Sequence, residues 1–149
     1  MFAFLIQFLM WFAPPPCDCS PSGYPEQELA ESAAVFTGRV TDIHVVDSTL
    51  IKEEIISSSE RIVVTFAVDT VWKGPNKKIL TVETGATRKT CGYTFVIGES
   101  YLVYTFFQIG GSDSTTLLTS QCTRTRLIAD AAEDIEELNT PPRVVLKKK

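Results

Sequence analysis

The chain has 149 residues, 18 acidic and 14 basic, for a net charge of -4; 44% of it is apolar and 21% charged. That length suits one globular domain, and the mildly acidic balance excludes nucleic acid as the main partner, since phosphate binding needs a clustered basic surface. His44 is the sole histidine, so neither a multi-histidine metal site nor a triad drawing on a second histidine can be built.

Residues 1–16 read MFAFLIQFLMWFAPPP and carry no charged side chain. An apolar run of about 12 residues is short for a bilayer span, which takes roughly 20, and suits the apolar region of a secretory signal. Three prolines then end any helix begun upstream. The expected organisation is a cleaved signal over 1–16, one domain over 17–139 and a flexible basic tail over 140–149. Cys17 then lies at or next to the mature N-terminus, and the expected location is extracellular. No other stretch is apolar enough for stable membrane insertion, and nothing points to an obligate oligomer.

Residues 17–23 (CDCSPSG) are too rich in turn formers for regular structure. Residues 24–32 (YPEQELAES) predict a short helix, with proline in its first turn and acids suited to its dipole. Residues 34–46 predict the first strand, and Gly38 within it hints at a bulge or a barrel bend. The polar stretch 49–60, with its triple serine, reads as a loop. Residues 61–72 are the clearest strand, with Ile62, Val64, Phe66, Val68 and Trp72 on one face. Lys73-Gly74-Pro75-Asn76 is a turn. A third strand is expected at 78–84, then a loop carrying Cys91, and a fourth strand at 100–107. A turn at 110–113 and a fifth strand at 115–120 lead to Cys122. Residues 127–138 (LIADAAEDIEEL) have helical spacing, with Thr125 as cap and Glu133, Asp134, Glu136 and Glu137 as the wet face.

Five short strands with a helix at each end predict a mostly β fold, a small barrel or a sandwich; a five-stranded Greek-key barrel of the OB type closes its sheet. Trp72, Tyr93, Tyr101, Tyr104, Phe106 and Phe107 are expected as barrel core rather than as a base-stacking face. His44 reads as an ordinary strand residue. No nucleophile with a matched base and no phosphate-cradling glycine loop is visible, so neither an enzyme nor a bound cofactor is expected.

Four cysteines, at 17, 19, 91 and 122, allow three pairings. A bond between Cys17 and Cys19 would close a strained, very short ring, which leaves the two schemes joining each to a distant partner. A four-thiolate zinc site is the alternative, although the second closely spaced pair usual for it is missing.

The motifs Cys17-Asp18-Cys19 after a signal, Val35-Phe36-Thr37-Gly38-Arg39-Val40, Val71-Trp72-Lys73-Gly74, Cys91-Gly92-Tyr93, Gly98 to Tyr104 (GESYLVY) and Cys122 run in one order along the chain. In that order they resemble the inhibitory N-terminal domain of the tissue inhibitors of metalloproteinases, within the netrin-like module family. The resemblance implies an OB-like barrel with disulfides Cys17–Cys91 and Cys19–Cys122. It implies a protease-binding ridge of Cys17, Asp18, Cys19, Ser20, Pro21, Thr90 and Cys91. In that family the N-terminal cysteine chelates the catalytic zinc of the target protease through its α-amino nitrogen and carbonyl oxygen. Here that metal contact, made in trans, would fall to Cys17, and Asp18 would enter the protease's primary specificity pocket. The implied partner is a zinc metalloprotease catalytic domain. Asp18 stands where the animal inhibitors carry a small polar residue, and the family's third disulfide in this domain has no cysteines here. The alternative reading is a secreted netrin-like module that binds protein or matrix without inhibiting. Arg143 and the lysines at 147–149 are a solvated tail or a hold on acidic matrix glycans.

Overall fold

The computed structural model describes residues 17–50, 57–87, 90–107 and 115–140. The expected signal at 1–16, the turn at 110–113 and the basic tail from 141 onward lie outside the described residues.

The order of elements is α1 (Pro25–Glu31), β1 (Ala34–Leu50), β2 (Ser57–Lys73), β3 (Ile79–Gly85), β4 (Ser100–Phe107), β5 (Leu117–Leu118), β6 (Arg126–Leu127), a 3-10 turn at Ile128–Asp130, and α2 (Ala132–Asn139). The strands pair in the order β1-β2-β3-β5-β4, and β4 returns to pair with β1, so five strands close into a ring. Only β3 and β5 run parallel within it. This is the five-stranded OB-like barrel, with β6 as a short addition on β4. Closure removes most of the edge backbone that an open sheet would expose.

Strand β1 pairs with β4 over Ala34–Arg39 and with β2 along nearly its whole length. It meets both neighbours only because the ladder is bent. Between Thr37 and Gly38 the register against β2 skips Asp69, between Val35 and Phe36 it skips Trp72, and between Val40 and Asp42 it skips Thr41. Each extra residue bends its strand and resets which side chains face inward. The bend expected at Gly38 is there.

Alternating residues fill the barrel: Phe36 and Val40 from β1, Val64 and Phe66 from β2, Leu80 and Val82 from β3, Tyr101 and Val103 from β4. Phe95, in the connection before β4, plugs one end edge-on, with ring centroids 5.3 Å from Phe66 and 4.9 Å from Tyr101. A second apolar layer lies outside the barrel wall. There Val35, Leu102, Tyr104 and Ala131 are buried against Leu29 of α1, Trp72, and Ile135 and Leu138 of α2. The residues of β4 from Tyr101 to Thr105 are therefore buried on both faces.

Several expectations are corrected. Residues 57–60 are not loop: they continue β2 and pair with the end of β1, to which Thr49 and Leu50 also belong, and the rest of that expected loop lies outside the described residues. Trp72 does not share the inner face of Ile62, Val64, Phe66 and Val68, because the skips at Asp69 and Trp72 turn it to the outer layer. Phe106 and Phe107 are not core; they are 41% and 48% exposed where β4 runs past the barrel's end. The last helix starts at Ala132 rather than at 127, and Thr125 caps nothing, because its hydroxyl donates to the Tyr104 carbonyl inside the protein. Asp134 is not on the wet face; it is 2% exposed. The expected strand at 115–120 is reduced to Leu117–Leu118.

Candidate functional site

The segment before α1 has no regular structure and is pinned to the barrel by its sulfurs. Cys17 is bonded to Cys91 and Cys19 to Cys122, with Cα–Cα separations of 5.7 and 5.1 Å. The four cysteines are thus two disulfides and not a thiolate zinc site.

Alternate residues bolt the segment to two different loops. The first, residues 85–92, folds back on itself. Thr90 donates its main-chain N–H and its hydroxyl to the Thr87 carbonyl at 3.1 and 2.8 Å, and Gly92 N–H reaches the same oxygen at 3.1 Å. A Cβ on Gly92 would lie 1.8 Å from the Gly85 carbonyl oxygen, so only glycine permits this approach. Cys91 sits in the left-handed region at φ 57°, a conformation that disfavours side chains and that the flanking bonds and the disulfide hold in place.

The second loop, residues 119–125, is knit by threonine hydroxyls. Thr119 donates to the Tyr104 carbonyl at 2.9 Å, and its oxygen lies 3.0 Å from those of Thr123 and Thr125. The two loops are joined directly: Gln121 N–H donates to the Cys91 carbonyl at 2.9 Å, and its side-chain amide to the Gly92 carbonyl at 3.3 Å. The platform under the N-terminal segment is therefore one connected piece.

Of the residues assigned to the ridge, Cys17 and Cys91 are brought together by their bond and are half-buried. Asp18, Cys19, Ser20, Pro21 and Thr90 are exposed. Beside Thr90 opens a cleft of about 260 Å³ lined by Gly85, Phe106, Leu118 and the Arg61–Glu83 ion pair, whose atoms are 3.2 Å apart. Among the described residues no cluster of histidine, cysteine or carboxylate side chains could hold a metal ion. His44 is an exposed strand residue 3.2 Å from Asp42.

Behind the ridge lies a polar cluster that the reading of the sequence did not anticipate. Arg124 donates from Nε and Nη2 to both oxygens of Asp134, at 2.8 and 2.7 Å, and Tyr104 donates its hydroxyl to the same carboxylate at 3.2 Å. Arg126 stands 3.7 Å away. Burial alone would raise the Asp134 carboxyl's pKa, but these hydrogen bonds and the two guanidinium charges outweigh it and hold the group below the usual carboxylate range. The Tyr104 hydroxyl is pushed well above its ordinary value, chiefly by burial and then by the adjacent Asp134 charge. A usable signal existed: Ala131, Asp134, Ile135 and Leu138 share one helical face, which puts Asp134 with the apolar residues.

Comparison with protein-family models and with curated proteins finds no match to this chain.

Proposed function

We propose that the chain is a secreted inhibitor of zinc metalloendopeptidases that acts stoichiometrically, through its N-terminal cysteine, and performs no catalysis of its own. One observation carries the reading. A short exposed segment beginning at Cys17 is bolted by alternate residues onto two hydrogen-bonded loops, so its main chain is presented as a stiff edge. The motif resemblance supplies the target class. Two disulfides suit an oxidising compartment, and no described helix is long and apolar enough to cross a membrane.

The chemistry is consistent with this design. A catalytic zinc keeps an open position, where it acidifies the water that attacks the peptide bond. Once residues 1–16 are removed, Cys17 carries an α-amino group, a class that ordinarily titrates at about 7.7–8.0 and so has a neutral form accessible at neutral pH. Amine and carbonyl of one residue can then chelate the target's zinc and displace that water. Preordering by the two bonds removes much of the entropy cost of docking. Any residue left ahead of Cys17 turns the amine into an amide, which cannot ligate.

Asp18 favours the second reading, a netrin-like module that binds protein or matrix without inhibiting. Its exposed carboxylate would be desolvated in an apolar specificity pocket, which disfavours common matrix proteases. One experiment separates the two. The mature N-terminus is read by mass, and the protein is assayed against a panel of zinc endopeptidases with and without one alanine placed before Cys17. Inhibition at one-to-one stoichiometry that disappears on extension supports chelation. A mature chain beginning at proline, or inhibition that survives extension, overturns it and leaves the binding module.

A further inference from the structure

We propose that Arg124 and Glu28 are positioning residues that grip Gly23 and form a third, non-covalent anchor for the N-terminal ridge. The effect on inhibition rests on the function proposed above; the anchor itself does not. The disulfides fix the chain at Cys17 and Cys19, and α1 begins at Pro25. Between them Ser20, Pro21 and Ser22 are exposed, and the chain is gripped again at Gly23. Gly23 N–H donates to Glu28 Oε1 at 2.7 Å, and its carbonyl accepts from Arg124 Nη1 at 2.9 Å. Both main-chain groups of one residue are thus held by ionised side chains of opposite sign, the stronger class of hydrogen bond. The Ser22 hydroxyl lies 3.5 Å from the same Nη1.

The guanidinium cannot follow Gly23 if the segment strays. Its other two nitrogens are committed to Asp134, which Tyr104 fastens to the barrel wall. A chain of contacts runs from β4 through Asp134 and Arg124 to Gly23, and places Ser20-Pro21-Ser22 between a covalent anchor and a charged one. Only a planar fork can serve Asp134 and Gly23 together; a lysine ammonium at 124 could keep the charge beside Asp134 but not both grips.

The test uses the full processed protein and reads amide hydrogen exchange, with β4 amides as the measure of an intact fold. E28A is expected to speed exchange at Gly23 about tenfold, the size of one charge-assisted bond, and E28Q to restore most of the protection because its side-chain oxygen still accepts. R124K should speed exchange at Gly23 similarly, while R126Q, which touches Asp134 and the Arg124 carbonyl but not Gly23, should leave it unchanged. Should R124K fail to fold, the Glu28 pair still decides. Unchanged Gly23 exchange in E28A, or acceleration at Gly23 in R126Q equal to that in R124K, overturns the anchor. Against a zinc protease that the parent protein inhibits, R124K should bind about tenfold more weakly. Full inhibition by a variant with fast exchange overturns the positioning role, whereas normal exchange effects in a protein that inhibits nothing uphold the anchor and reject only the proposed function.

Discussion

Chelation through main-chain atoms can be separated from stiffness by replacing Cys17 and Cys91 together with serine. The variant keeps the amine and carbonyl of residue 17 and loses only the bond. In isolation a cross-link spanning 74 residues is worth about 4.5 kcal/mol in the chain-entropy model, and one spanning 103 about 4.7. The two are not independent. With Cys19–Cys122 intact, closing Cys17–Cys91 completes a ring that runs only from 91 to 122 and back through 19 to 17, about 33 residues, worth about 3.7 kcal/mol. The double variant should therefore lose about 3.7 kcal/mol, read as a lower denaturant midpoint at unchanged slope.

Function should fall for a different reason. Two residues, Cys17 and Asp18, lie outboard of the remaining disulfide, and ordering them on docking costs at most about 1–2 kcal/mol each. Inhibition should weaken by at most about 30- to 900-fold without being abolished. Equal inhibition by parent and variant would show that the bond merely stabilises the fold. Complete loss in a folded variant would show that the sulfur, and not the main chain, matters to the target.

Three further outcomes are expected. Asp134→Asn removes a buried partner of Arg124 and should cost about 3 kcal/mol, the low end for a broken buried pair because Arg124 keeps 16% exposure. Since the folded carboxyl has a lowered pKa, the pair's contribution is complete above the ordinary carboxylate value of about 3.9 and is lost as pH falls through the lower folded one. Denaturation midpoints followed down through that window should converge for parent and variant, and parallel curves would reject the assignment. Gly74→Ala should cost about 2–4 kcal/mol by thermal melting, since φ is 98° and the new Cβ would sit 2.5 Å from that of Ala34; Gly98→Ala, at φ 88° with open space, should cost only the backbone share of about 1–2. Asp18→Thr should improve inhibition of proteases with apolar pockets, and an unchanged inhibition profile would mean that this side chain is not inserted.

The strands were legible because the interior obeys a period of two, whereas their closure into a barrel rather than a sandwich came from the motif resemblance and not from the pattern. Val64 with Phe66, Leu80 with Val82, and Tyr101 with Val103 mark inward faces that any correct register must bury together. The hairpin extension was hidden for the converse reason. Where β1 leaves the barrel, His44, Val45 and Val46 in succession are exposed, so both of its faces meet solvent there and the alternation that marks a half-buried strand is lost. Trp72 was misplaced because a bulge is a register property, set by how two strands meet, and no residue type at 69 or 72 announces it. Helix α2 was drawn too long because Leu127 and Ile128 have the spacing of the helix that follows. Their backbone instead serves β6 and a 3-10 turn that hands the chain from the barrel to the outer layer.

The candidate site divides along the same line. Its covalent part is written in the cysteines; its non-covalent part depends on which loops stand beside each other. Gln121 joins the disulfide loops by its main-chain N–H, an atom that every residue except proline carries. Asp18 shows why this matters for recognition. It lies between two residues whose sulfurs are fixed to one connected platform, so the direction in which its side chain leaves the surface is set by the barrel and not by rotation of a loose end. A flexible ridge could turn this carboxylate back to water when it meets an apolar pocket. A stiff one must desolvate it or fail to dock. On the proposed function, the rigidity that would strengthen binding to a matching target would also sharpen rejection of a mismatched one, and selectivity would then fall to Asp18 while strength falls to the anchors behind it.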